Sequence, residues 1–283
     1  MNLTSDFHIH TAHSCDSACL PMVDLPGAAS ASGVTVYGVS DHLHTPYNLP
    51  DVVASRRSFD EHARDGFHFG IEISCVSTWE LEELARGDYE NPVYGLRSGG
   101  PAGADPAIGL TEQDIAALGI EYVIGGTHWP LYVELEPGIV TRDYHRQNMF
   151  LATHPLVDIV AHPWWWMGKW KQDDGTYPTD PWFDDFTRVP LSMHDEFAAA
   201  AVQHGTAVEI NLSATLLNPG YPERFHYQYA DYLAYLQGRG VQLSVGSDCH
   251  SATYAPPFTR AAEMLAQAGV NTDNLWLPGQ RTN

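Results

Sequence analysis

Asp6-Phe7-His8-Ile9-His10 is the stretch from which the rest of the chain can be read. Alternate residues of a strand face the same side, so His8 and His10 project together while Phe7 and Ile9 face the other way. Beyond it, short apolar runs that end in polar donors recur along the sequence. Ser40-Asp41-His42 closes the run at 34–40, Gly70-Ile71-Glu72 the run at 67–73, and Gly125-Gly126-Thr127-His128-Trp129 the run at 122–126. Val160-Ala161-His162-Pro163 and Gly246-Ser247-Asp248-Cys249-His250 close the runs at 158–161 and 242–246.

Together with 7–10 and 207–211 these runs are the predicted strands. They are rich in Val, Ile and aromatics, as strands covered on both faces are. Helical patterns lie between them at 142–153, 229–238 and 260–268. Thr111 with Asp114 reads as a capping box opening a helix, and Ser192 with Asp195 as another before the run EFAAAAVQH, which Gly205 stops. Regular βα alternation predicts an α/β fold, a parallel TIM-like barrel, spanning 1–283 as a single domain. No repeat, low-complexity tract or linker divides the chain. Two long loops interrupt the rhythm: 88–106, rich in Gly and Pro, and 163–190, which holds five tryptophans. Long loops within a compact domain are commonly functional.

Composition narrows the possible functions. The chain has 283 residues, 44% of them apolar, enough for a well-buried core. No apolar run approaches the length of a membrane span, and MNLTSDFHIH lacks the basic and apolar regions of a signal peptide, so a cytoplasmic location is expected. Lys and Arg total 14 against 35 Asp and Glu, a formal charge of −21. Such a surface repels phosphate backbones and argues against nucleic acid as a partner. The excess is either an ordinary acidic surface or is offset in part by bound divalent cations. Cys15 and Cys19 are too widely spaced for a CxxC pair, and no second pair completes a zinc site. The four cysteines, Cys75 and Cys249 included, read as free thiols.

Each donor ends a predicted strand. In a parallel barrel those ends meet on one face, where barrel enzymes place their active sites. His, Asp and Glu are ligands that suit zinc, iron or manganese. The ordered strings DFHIHTAHSCD, SDHLH, GIE, GGTHW, VAHPW and GSDCH resemble the polymerase and histidinol phosphatase (PHP) family from Asp6 to His250. The resemblance implies a distorted seven-stranded barrel with two or three divalent metal ions, acting on phosphate esters.

Carried over residue by residue, it assigns His8, His10, Glu72 and Asp248 to a first metal. Glu72 bridges to a second, which also takes His128 and His162. Asp16, His42 and His250 hold a third. Asp16 stands where relatives carry Asp or His, and Ser17 stands where they commonly carry Gly. Asp41 is expected to orient its loop, and Asn211 to support the ligands from behind. Glu72, Asp248 and His250 are the catalytic candidates. A hydroxide held between the metals would attack phosphorus, and a protonated histidine or a metal-held water would protonate the leaving alcohol.

Candidates for substrate contact are Lys169, Lys171, Arg142, Arg146, Trp164 and His13, with His44 also in a ligand-bearing loop. Trp164, Trp165, Trp166 and Trp170 follow His162 directly. They either wall the pocket or pack their loop onto the barrel. The other histidines, His62, His68, His145, His154, His194, His204 and His226, read as surface or packing residues. The expected partner is a small-molecule substrate, resembling that of a histidinol-phosphate phosphatase or of another phosphomonoesterase or phosphodiesterase. Two alternatives stand beside it: a metal-dependent hydrolase of C–N or C–O bonds, as in amidohydrolase barrels, and a metal-binding module without turnover.

Overall fold

The computed structural model describes residues 3–16, 18–87, 93–165 and 184–279. Its strands are β1 (Ser5–Asp6), β2 (Val36–Val39), β3 (His42–Leu43), β4 (Phe67–Ser74), β5 (Val76–Ser77), β6 (Pro106–Ala107), β7 (Tyr122–Gly126), β8 (Ile159–Ala161), β9 (Ala207–Asn211) and β10 (Leu243–Gly246). The order β1-β2-β4-β7-β8-β9-β10 makes a parallel seven-stranded barrel, with β3 a short extra partner of β4. Representative registers are Tyr37 opposite Phe67, Glu72 opposite Ile124, Gly126 opposite Ala161 and Ile210 opposite Val245. Antiparallel β5 and β6 form a separate ribbon beside it.

The strand read at 7–10 begins earlier and pairs regularly only at Ser5–Asp6. Beyond Asp6 the chain turns to the last strand and closes the barrel. Phe7 N donates to Val245 O at 2.9 Å, Asp248 N to His8 O at 2.7 Å and His10 N to Cys249 O at 3.1 Å. The histidine pair therefore lies on the seam itself.

Helices follow the strands as read, with shifted ends. The helix expected at 142–153 begins at Pro137, whose fixed φ suits the first helical position. The Thr111–Asp114 box is present on both sides, and Gly119 (φ 58°) ends that helix. The Ser192–Asp195 box does not form, which corrects the sequence reading. The helix starts at Leu191, directly after Pro190, so Ser192 already lies inside it. Asp195 is engaged instead by the Tyr235 hydroxyl and by Arg239 at 2.8 Å. Helices at Leu25–Ala31, Leu49–His62 and Thr78–Arg86 were not read in the sequence. Of the last of these, Ser77 is the N-cap, accepting from Glu80 N at 3.0 Å.

Below the site the barrel is filled by Phe7, Tyr122, Ile124, Ile159 and Trp276. The Tyr122 hydroxyl lies 2.8 Å from the carbonyls of both Phe7 and Val39. A plugged lower end leaves the opposite mouth, at the strands' C-terminal ends, as the open one. No helix among the described residues is long and apolar enough to cross a membrane.

Candidate metal centre

Six strand ends deliver donors to this mouth, and Glu72 stands at their centre. The carboxylate is completely buried at the end of β4. Its Oε2 lies 3.1 Å from His8 Nε2, 3.4 Å from His10 Nε2 and 2.9 Å from His42 Nδ1. Its Oε1 lies 3.1 Å from His128 Nε2 and 3.0 Å from His162 Nε2. The two oxygens thus face two different groups of imidazoles. Asp248 Oδ1 joins the first group, 3.6 Å from His8 Nε2 and 3.4 Å from His10 Nε2. A third group forms at the rim, where Asp16 Oδ2 lies 2.6 Å from His250 Nε2 and 3.4 Å from His42 Nε2.

His162 Nε2 and Glu72 Oε1 form a hydrogen bond at 3.0 Å, but hydrogen bonds alone do not complete the cluster. His8 Nε2 faces His10 Nε2 at 3.0 Å, nitrogen to nitrogen. His10 Nδ1 and His162 Nδ1 are buried without a hydrogen-bond partner, and His42 Nδ1 and Glu72 Oε2, although 2.9 Å apart, do not meet in hydrogen-bond geometry. Buried polar atoms rarely stay so unless a ligand or ion completes them. Overlapping sets, among them His8-His10-Glu72, His42-Glu72-His128 and His10-His42-His250, keep their ligand atoms within 4.8 Å of one another. Buried Glu72 and Asp248, with half-buried Asp16 beside them, also need positive charge nearby, and divalent cations would supply it. The donor set fits such ions.

Electrostatics follow the same geometry. Burial alone would lower His42, but the Glu72 and Asp16 carboxylates override it and push the imidazole up to about 10. Burial, with His42 and His250 close by, takes His10 down to about 3. Glu72 is held well below the carboxylate range because His8, His42 and His128 outweigh its burial.

The ligand tautomers are set from behind. His8 Nδ1 sits 2.6 Å from Glu209 Oε1 in the middle of β9, which leaves Nε2 as the donor atom. Glu209 Oε2 accepts from His162 N at 3.1 Å and from Asn211 Nδ2 at 2.9 Å, and Asn211 Nδ2 also lies 3.2 Å from Asp248 Oδ2. His250 Nδ1 lies 3.1 Å from Asp248 O, again leaving Nε2 for the site. Asp41 accepts from Thr11 N at 2.6 Å, Thr11 Oγ1 at 2.7 Å and Ser55 Oγ at 2.5 Å, and so ties the first two ligand loops together.

Strain collects here as well. His162 (φ 27°) and Asp248 (φ 55°) are two of the three non-glycine residues with positive φ among those described, a conformation bulky residues avoid unless the surroundings hold them there. Glycines clear the space. A Cβ at Gly246 would run into Glu209 Oε1, and one at Gly126 would lie 2.6 Å from His128 Cε1.

The structure therefore brings together His8, His10, Asp16, His42, Glu72, His128, His162, Asp248 and His250. It separates most of the expected substrate contacts. Trp164 is fully buried, its indole Nε1 3.3 Å from the Tyr232 hydroxyl, so it is a core residue. Trp165, Trp129, Tyr94 and His44 line the cavity instead, which measures about 550 Å³. Arg146 is used structurally, donating to Ala104 O at 2.6 Å and to Asp143 at 2.7 Å. Arg142 is exposed, His13 is half-buried, and neither lines the cavity. Lys169, Lys171, Trp166 and Trp170 lie outside the described residues. Glu209 was missed because nothing in Val208-Glu209-Ile210-Asn211 distinguishes it from any strand carboxylate. The signal available was that a Glu on an otherwise apolar barrel strand must face some partner. Ser74 was missed too. Its Oγ lies 2.7 Å from His44 Nδ1 and 2.9 Å from His128 Nδ1, linking one cavity histidine to one donor.

No family profile and no curated protein sequence matches this chain. Solved structures similar to it include a chain of archaeal ribonuclease P with mature tRNA, at 12% identity and TM-score 0.43, covering 94% of this chain and 87% of that one. A COG1816 amidohydrolase with bound zinc from Burkholderia ambifaria has 12% identity and TM-score 0.34, covering 90% and 60%. A protein described as a putative sugar phosphate isomerase/epimerase, from Anabaena variabilis, has 13% identity and TM-score 0.40, covering 99% of this chain and 92% of that one.

Proposed function

We propose that this chain is a metal-dependent hydrolase of the PHP type that cleaves small-molecule phosphate esters. One observation carries the reading: both oxygens of the buried Glu72 are ringed by imidazoles, three on one and two on the other. His8, His10, Glu72 and Asp248 would hold one ion, Glu72, His128 and His162 a second, and Asp16, His42 and His250 a third. Bound there, zinc, manganese or iron would bring the pKa of water towards neutrality and screen the charge that grows on a phosphoryl group.

The protein's own share of the chemistry is orientation and proton placement. With His128 Nε2 given to an ion, its Nδ1–H donates to Ser74 Oγ. Ser74 then donates its own proton to His44 Nδ1, which leaves a proton on His44 Nε2. That nitrogen is buried, has no protein partner, and belongs to a residue lining the cavity. His44 Nε2–H is thus a fixed neutral donor for a substrate oxygen. Trp129 and Trp165 line the same cavity and give it apolar walls.

No lysine or arginine is among the described residues that line the cavity. This favours a second reading, hydrolysis of an uncharged C–N or C–O bond, because such a substrate needs no basic contact. The test is a count of metals by elemental analysis, followed by turnover of phosphomonoester, phosphodiester, lactone and amide panels with and without a chelator. Chelator-sensitive phosphoester cleavage supports the first reading. Cleavage confined to lactones or amides supports the second. A protein that retains no metal and turns over nothing overturns both.

A further inference from the structure

Beside the donor cluster lies a second cavity of about 390 Å³, beyond the ends of β9 and β10. It shares Ser213, Asp248 and His250 with the metal-donor cavity, so the two adjoin at the third group of donors. Its character is different. Leu212, Leu217, Pro219, Ala255, Pro256 and Pro257 line it, with no lysine, arginine or aromatic residue among the described residues there. Among those residues its only ionisable oxygen and nitrogen groups are Asp248 and His250, both committed at the shared boundary. Of the four described hydroxyl residues that line it, Ser251 and Thr253 are exposed, while the hydroxyls of Ser213 and Ser247 are committed. Ser213 Oγ donates to the carbonyls of Ser247 at 2.9 Å and Asp248 at 2.8 Å, and Ser247 Oγ donates to His8 O at 3.3 Å.

We infer that this cavity receives the leaving group of the substrate, and that the leaving group is uncharged and apolar. The inference rests on the hydrolase reading above for the reacting end, and adds the chemistry of the remainder. A space of this size holds about fifteen non-hydrogen atoms, given that a cavity of roughly 150 Å³ accepts the six carbons of benzene. An alkyl or alicyclic chain gains by leaving water for this lining. A cationic chain such as an amino alcohol finds no free carboxylate there, and its desolvated ammonium is penalised. Histidinol-like leaving groups are therefore disfavoured at this site.

The experiment uses the full chain loaded with Zn²⁺ and calorimetric binding of three non-hydrolysable anions: methylphosphonate, hexylphosphonate and 6-aminohexylphosphonate. Hexylphosphonate is expected to bind at least about tenfold more tightly than either of the others. Ala255→Trp places an indole in the cavity from an exposed position and should collapse the hexyl-to-methyl ratio towards one. Equal binding of hexyl and methyl, a preference for the amine, or an unchanged ratio in Ala255→Trp overturns the inference. Should no phosphonate bind, the phosphoester reading falls, and saturation-transfer NMR with 1-hexanol decides the cavity separately. Saturation transfer to hexanol that disappears in Ala255→Trp keeps the apolar site, and no transfer in the parent protein removes it.

Discussion

Replacing Glu209 by Gln tests how much of the centre depends on a residue that is not itself a donor to the ions. The change keeps shape and removes charge. Glu209 is 1% exposed and makes the 2.6 Å contact that fixes the His8 tautomer, while its second oxygen supports the backbone of His162 and the amide of Asn211. Hydrogen bonds to a buried charged group contribute about 1.5–3 kcal/mol. Losing the charge-assisted part of one such bond weakens a donor of the proposed first ion directly and one of the proposed second through His162. Partners of this kind typically change metal affinity by about 10- to 100-fold when altered, equivalent to about 1.4–2.8 kcal/mol. The assay is competition for Zn²⁺ against a chromophoric chelator, with thermal melting of both proteins at saturating metal. The expected result is weaker metal binding in Glu209→Gln, by about 10-fold or more, with a folded protein of near-normal circular dichroism. Affinity within twofold of the parent would contradict this account, and so would a fall in melting temperature with affinity intact, since Glu209 would then serve packing alone.

Glu72→Ala should lose bound metal and activity together, because both carboxylate oxygens serve the donor groups; elemental analysis showing an unchanged metal content would argue the opposite. His44→Phe should keep its metal yet lower kcat by about 10- to 100-fold through loss of the Nε2–H donor, and a kcat equal to the parent's would remove His44 from the chemistry. Gly246→Ala should fold poorly or lose metal, since the added methyl meets Glu209 and His8, and a variant with parental melting and metal content would show that the pocket yields. Away from the site, burial lowers His194 to about 4, so the unfolded chain binds a proton first as pH falls below the usual 6.5. Stability should therefore drop between pH 7.5 and 5, by about 2 kcal/mol from this residue, and denaturant titrations of His194→Phe should show a correspondingly smaller drop; equal slopes in the two proteins would discount the burial effect.

Much of this architecture is written in local pattern. Strands at 67–73, 122–126 and 207–211 are visible because both their faces are buried, which forces continuous Val, Ile and aromatic runs. The donors are visible because barrel topology places every strand's C-terminal end at one mouth, so an ordered series of His, Asp and Glu after apolar runs already implies convergence. Thr111 and Asp114 declare their helix because a capping box is satisfied within four residues. Ser192 and Asp195 show the limit of that signal, since the same letters behind Pro190 are overridden by the helix start at Leu191 and by the partners Tyr235 and Arg239.

Distance in the chain hides the rest. Glu209 meets His8 across 201 residues, and no periodicity carries that information. Trp164 and Trp165 are neighbours of the same type, yet one is sealed against Tyr232 and the other lines the cavity, a choice made by which way the loop turns after the strained His162. The barrel and the roll of donors can be read from the letters alone, because both follow from rules that repeat over a few residues. Which carboxylate orients which imidazole, which aromatic faces the substrate and where the apolar cavity opens become legible only in three dimensions, because these depend on side chains that folding alone brings within reach of one another.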